Sequence, residues 1–82
     1  MVNMNNNNNW ENNWRNPRFR RISITQAMEV ALNRVPGDVI KAELEFDDGV
    51  LLYEITIRTK EGVRYEVKVD AVTGQIISSK QD

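Results

Sequence analysis

Apolar residues fall into two periodicities along the chain. Ile24, Ala27, Met28, Ala31 and Val35 recur at spacings of three and four, which puts them on one stripe of an amphipathic helix. Ser23 stands where an N-cap belongs, and Gln26, three residues on, completes a capping box; Ile22 and Ala27 can staple across it. Pro36-Gly37 ends the helix, because proline cannot continue the hydrogen-bond ladder and glycine tolerates a left-handed turn. From there the period drops to two. Ile40, Ala42, Leu44 and Phe46 alternate with Lys41, Glu43 and Glu45, as expected of a strand with one buried face.

Turn chemistry then sets the register. A two-residue primed turn at Asp48-Gly49 places residue 47 opposite 50 and sets Phe46, Leu44, Ala42 and Ile40 against Leu51, Tyr53, Ile55 and Ile57. A three-residue loop, Lys60-Glu61-Gly62, with Gly62 in the left-handed region, pairs Ile57, Ile55 and Tyr53 with Tyr65, Val67 and Val69. The loop Ala71-Val72-Thr73-Gly74 leads to a last short strand, Gln75 to Ser79, that brings Ile76 opposite Val69. The expected fold is α+β: one N-terminal helix on one face of a four-stranded antiparallel meander, order 1-2-3-4.

The segment before the helix has a different composition. Nine of the first 16 residues are Asn, too few apolar groups to offset the entropy of ordering them, so residues 1–20 are expected to be a disordered tail and 21–80 a single domain. The tail still carries Trp10, Trp14 and Phe19 among Arg15, Arg18, Arg20 and Arg21, a mixture able to attach to an anionic membrane surface. Four arginines against Glu11 make residues 1–21 +3, which leaves −4 for the rest of a chain of net charge −1. A mildly acidic domain is a poor nucleic-acid binder. Nothing here approaches the roughly 20 apolar residues needed to span a bilayer, and the Asn-rich start lacks the apolar core of a signal peptide.

The inventory of reactive groups is short. With neither His nor Cys among 82 residues, disulfides, thiolate nucleophiles, the commonest general base and the commonest metal ligands are all absent, and no convergent cluster of the remaining groups is visible. No enzymatic activity, cofactor or metal is expected. Asp47 and Asp48 are adjacent acids, but turn formation by Asp48-Gly49 accounts for them better than a cation does, even with Asp38 or Glu45 added. Asp70, Thr73 and Gly74 suit a tight turn in which the Asp70 carboxylate accepts a hydrogen bond from the N–H of Val72 or Thr73. Tyr53 and Tyr65 alternate with core positions and are expected to be core aromatics with marginal hydroxyls.

Four stretches in order, ISITQAMEVAL, RVPGDVIKAELE, YEITI and YEVKVDAVTGQI, resemble the PepSY domain over about residues 22–80. That family occurs in the propeptides of thermolysin-type metallopeptidases and in many bacterial envelope proteins. The resemblance implies a small, non-catalytic, secreted or envelope module that moderates peptidases through protein–protein contact. The outward row Lys41, Glu43, Glu45, Leu52, Glu54, Thr56, Arg58, Arg64, Glu66 and Lys68 is the expected partner surface. Glu43 faces Glu54 across it, with Lys68 or Lys41 placed to soften the repulsion. Leu52 is its one apolar member, and the sheet edges beside it could take a protein partner by strand addition or a second copy of the chain through face or edge. The alternative is an envelope-associated structural or self-associating domain held to an anionic surface by its basic aromatic tail.

Overall fold

The computed structural model describes residues 21–82. The disorder expected of residues 1–20 lies outside that range. Helix α1 (Ile24–Arg34) is followed by strands β1 (Asp38–Asp47), β2 (Val50–Arg58), β3 (Arg64–Asp70) and β4 (Ile76–Gln81). The strands form one antiparallel sheet in the order β1-β2-β3-β4, with α1 packed against one face. This is the α+β meander that the periodicities predict.

The helix begins at a complete capping box: Gln26 N–H donates to Ser23 Oγ (3.0 Å) and Ser23 N–H donates to Gln26 Oε1 (2.8 Å). Two N–H groups that the first turn leaves without intrahelical partners are satisfied in this way. Ala27, Ala31 and Val35 are buried on the sheet, against Tyr53, Ile55, Ile57, Val67 and Val69. Two alanines at the contact let the helix axis approach closely. Ile24, the first member of the expected stripe, stays outside the core and is 41% exposed.

Tyr53 fixes the entry to the helix. Its hydroxyl donates to the Ile22 carbonyl (2.7 Å), while Ile22 N–H donates to the Ala71 carbonyl (2.8 Å). The residue just before the N-cap is therefore tied to β2 on one side and to the β3–β4 loop on the other.

Both long hairpins have the expected register. Asp47 pairs with Val50, Phe46 with Leu51, Leu44 with Tyr53 and Ala42 with Ile55; Asp48 and Gly49 both have positive φ (51° and 80°), as a type I′ turn requires. Across β2 and β3, Tyr53, Ile55 and Ile57 pair with Val69, Val67 and Tyr65. The Lys60–Gly62 loop is closed by Thr59 N–H donating to the Val63 carbonyl (2.8 Å), with Gly62 at φ 86°.

Three details differ from expectation. A bulge between Val39 and Lys41 pairs Val39, not Ile40, with Ile57, and turns Ile40 toward solvent. Because Val39 and Ile40 are both β-branched and apolar, either could fill the inward position, and alternation alone could not choose. Gly37 lies at φ 159°, extended rather than left-handed; it must be glycine because a Cβ there would stand 2.4 Å from the Arg58 carbonyl oxygen and 2.9 Å from Ile57 Cγ2. Strand β4 starts at Ile76 and continues to Gln81 rather than ending at Ser79, since Glu66 pairs with Lys80 and Tyr65 with Gln81. A backbone ladder at a sheet edge needs no apolar side chains, and opposite charges across it help.

Candidate functional site

The outer sheet face carries most of the charge. The register sets three rows across it: Lys41–Thr56–Glu66, Glu43–Glu54–Lys68 and Glu45–Leu52–Asp70, with Arg58 beside Arg64 at one end. Leu52 and Thr56 lie in the middle column and are only 3% and 6% exposed, so they offer a partner no accessible surface. Lys68 reaches diagonally past Leu52 to Asp47 (Nζ to Oδ2 3.9 Å), and Lys41 meets Glu43 (3.6 Å). Lys41, Glu43 and Asp47 are exposed and Lys68 is half-buried; solvent-accessible pairs of this kind add little stability.

Glu43, Glu45 and Glu54 converge, with one carboxylate oxygen from each lying within 4.8 Å of the others; among the described residues this is the one cluster of three groups able to ligate a metal. Asp47 and Asp48 are not part of it. Partial burial raises the Glu54 carboxyl above its ordinary value, a hydrogen bond and charge from Glu45 raise it further, Lys68 opposes the rise, and Glu43 adds to it. The cluster favours a shared proton or a neighbouring cation. It stands on an open sheet face, not in a cleft that would exclude water from a reaction.

In the same row as Glu45 and Leu52, on β3, the Asp70 carboxylate accepts from Val72 N–H (2.8 Å) and Thr73 N–H (2.9 Å), while Gly74 N–H donates to the Asp70 carbonyl (2.8 Å) with φ 78°. These bonds, led by the one from Thr73, hold the Asp70 carboxyl below its ordinary value against the opposing effect of burial. Thr73 Oγ1 accepts in turn from Gln75 N–H (3.2 Å). Every polar group of this turn serves its conformation.

The most accessible apolar surface lies on the other face, along β1. Leu44 and Phe46 point to the helix side of the sheet, yet they are 42% and 73% exposed. Beside Leu44, an open groove is lined by Arg21, Ile22, Ser23, Ile24, Gln26 and Tyr53, where the chain enters α1. Its walls mix apolar side chains with the polar groups of Arg21, Ser23 and Gln26. Sequence reasoning assigned Leu44 and Phe46 to the core because their alternation is that of core residues. The missing consideration was extent, since the helix packs on β1 without covering its hairpin end.

The described residues form an open-edged α+β meander with a charged outer face and an apolar edge strip. Residues 21–80 match the family model described as peptidase propeptide and YPEB domain (PepSY), and the chain belongs to this family. It is similar to YkoJ, an uncharacterised protein of Bacillus subtilis, with 38% identity over 64 residues that make up 76% of this chain and 38% of that protein. Among solved structures it resembles a putative lipoprotein of Clostridium difficile (TM-score 0.72, 32% identity, 77% of this chain and 41% of that one). The YpmB protein of Bacillus subtilis is also similar (TM-score 0.70, 26% identity, 77% of this chain and 50% of that one). The chain thus spans half or less of the length of these relatives.

Proposed function

We propose that this domain is a non-catalytic binding module of the cell envelope or its surroundings, which moderates a secreted peptidase by docking on it through the β1 edge. The observation that carries the proposal is the uncovered strip of Leu44 and Phe46 on a ten-residue strand whose outer side has no neighbouring strand among the described residues. An open edge offers backbone hydrogen bonds, and adjacent apolar side chains supply the buried area that a partner needs. Glu43 and Glu45, on the opposite face of the same strand, add charge selectivity. The family description supports a peptidase as partner, and the similarity to a putative lipoprotein supports an envelope location.

The test is binding and inhibition of the host's secreted metallopeptidases by the full chain and by Phe46→Asp. Inhibition by the native chain that weakens about tenfold or more in Phe46→Asp, as loss of an interface anchor predicts, supports the proposal. Absence of binding at micromolar concentration to every such peptidase sinks the peptidase assignment. Binding that survives Phe46→Asp and is lost on reversing Lys68 or Glu66 moves the contact to the outer face.

A further inference from the structure

We infer that the β1 edge takes up an extended segment of a partner protein in which apolar residues alternate with Lys or Arg, added to the sheet as a further strand. The inference names the kind of segment bound at the edge proposed above and rests on that edge being the docking site.

The backbone groups left over at this edge belong to its apolar residues. The Leu51 carbonyl accepts from Ala71 N–H, and Thr59 N–H, just past the end of β2, donates to the Val63 carbonyl. The odd-numbered residues of β2 therefore bond toward β3, and alternation turns Val50, Leu52, Glu54 and Thr56 toward β1. There they meet Asp47, Glu45, Glu43 and Lys41. The residues between, Ala42, Leu44 and Phe46, direct their N–H and C=O groups away from β2, to an edge with no strand beside it among the described residues.

Side chains on the two faces then specify the occupant. On the helix side an added strand faces Ala42, Leu44 and Phe46, so its residues there are apolar. A large one leaning over Leu44 reaches the groove beside it, whose apolar members are Ile22, Ile24 and Tyr53. On the outer side the added strand faces Glu43, Glu45 and Asp47, acids at successive outward positions of β1. Lys41 meets Glu43 at 3.6 Å and Lys68 meets Asp47 at 3.9 Å, but residues 42–54 contain no Lys or Arg and the row stays net negative. Opposite charges placed across adjacent strands support pairing and like charges oppose it, so the outward residues of the segment are cationic. The same row disfavours a second copy as occupant. Two β1 edges paired about a two-fold axis through Leu44 would set Glu43 of each copy against Glu45 of the other.

The test is fluorescence anisotropy of labelled synthetic peptides with the full chain. One peptide alternates valine and lysine, one alternates valine and glutamate, and one has the composition of the first with its valines and lysines in separate blocks. The alternating valine–lysine peptide is expected to bind about tenfold tighter than either of the others, or more. Phe46→Ser weakens that binding about tenfold. The double variant Glu43→Lys, Glu45→Lys reverses the order, so that the valine–glutamate peptide binds tighter; a merely structural role of the two glutamates would weaken both peptides alike. Circular dichroism checks that each variant keeps the sheet, and the comparison of peptides on the native chain stands whether or not a variant folds. Equal or undetectable binding of the three peptides overturns the inference. So does equally tight binding of the block peptide, which would make alternation irrelevant, and so does a lysine preference that survives the double reversal, which would place the peptide elsewhere. Self-association of the native chain that is lost in Phe46→Ser makes a second copy the occupant and overturns it as well. No peptidase enters these measurements. A chain that inhibits a peptidase through Phe46 without preferring the valine–lysine peptide therefore overturns this inference alone, and one that prefers the peptide but inhibits no peptidase overturns the peptidase assignment alone.

Discussion

Ile55 and Phe46 both point to the helix side of one sheet, yet Ile55 is wholly buried and Phe46 is nearly three-quarters exposed. The difference comes from position across the sheet. Four strands about 4.8 Å apart span close to 15 Å between the edge backbones, whereas a helix with its side chains is only about 10–12 Å across. Packed across β1, β2 and β3, and drawn close by Ala27 and Ala31, α1 seals Ile55, Ile57, Val67 and Val69. It leaves the far half of β1 open. The same alternation therefore makes a core in one strand and an exposed apolar strip in its neighbour.

The largest test of that contrast is a pair of truncations. Ile55→Ala should lower unfolding free energy by about 2–5 kcal/mol, while Phe46→Ala, on the same face, should cost under about 1 kcal/mol in chemical denaturation. Equal losses would break the contrast and mean that Phe46 is covered in solution. Next in size is Gly37→Ala, which pushes a methyl group into the Arg58 carbonyl and Ile57 where the chain passes from helix to sheet. A loss of about 1–3 kcal/mol is expected from this overpacking; a neutral result would show that the crossing is loose.

The two perturbed acids give smaller effects of opposite sign. Asp70 has its carboxyl lowered in the folded state, so its contribution is present above the ordinary value of 3.8 and is lost as pH falls through the lower folded value. Asp70→Ala should cost about 0.5–2 kcal/mol at neutral pH, by analogy with a helix cap, and progressively less in acid. Glu54 has its carboxyl raised, so its relative contribution is greatest below 4.5 and is lost as pH rises through the folded value. Glu54→Gln should therefore raise the melting temperature slightly at neutral pH, by under about 0.5 kcal/mol in stability, with the gain vanishing in acid. A destabilised Glu54→Gln would mean that attraction to Lys68 outweighs the crowding by Glu45 and Glu43.

Legibility followed the range of the interactions. The capping box at Ser23 and Gln26, the Asp48-Gly49 turn and the Asp70 turn could all be read from the chain because each is closed by residues within five positions of one another. Hairpin registers followed, since turn geometry and alternation agreed. The Tyr53 hydroxyl bond to Ile22 spans 31 residues and left no local trace. The acidic convergence was half legible: Glu43 opposite Glu54 follows from the register, but Glu45 joining them depends on side-chain reach across the sheet.

By itself, the sequence determined one capped helix, its meander of strands and the family, because hydrophobic period and turn chemistry act over a few residues. Only the tertiary structure decided which apolar residues are core and which are surface. It buried Leu52 on the face expected to be wet, turned Ile40 outward at a bulge, and exposed Leu44 and Phe46 on the face expected to be dry. Burial depends on what lies opposite, and alternation records only which way a side chain points.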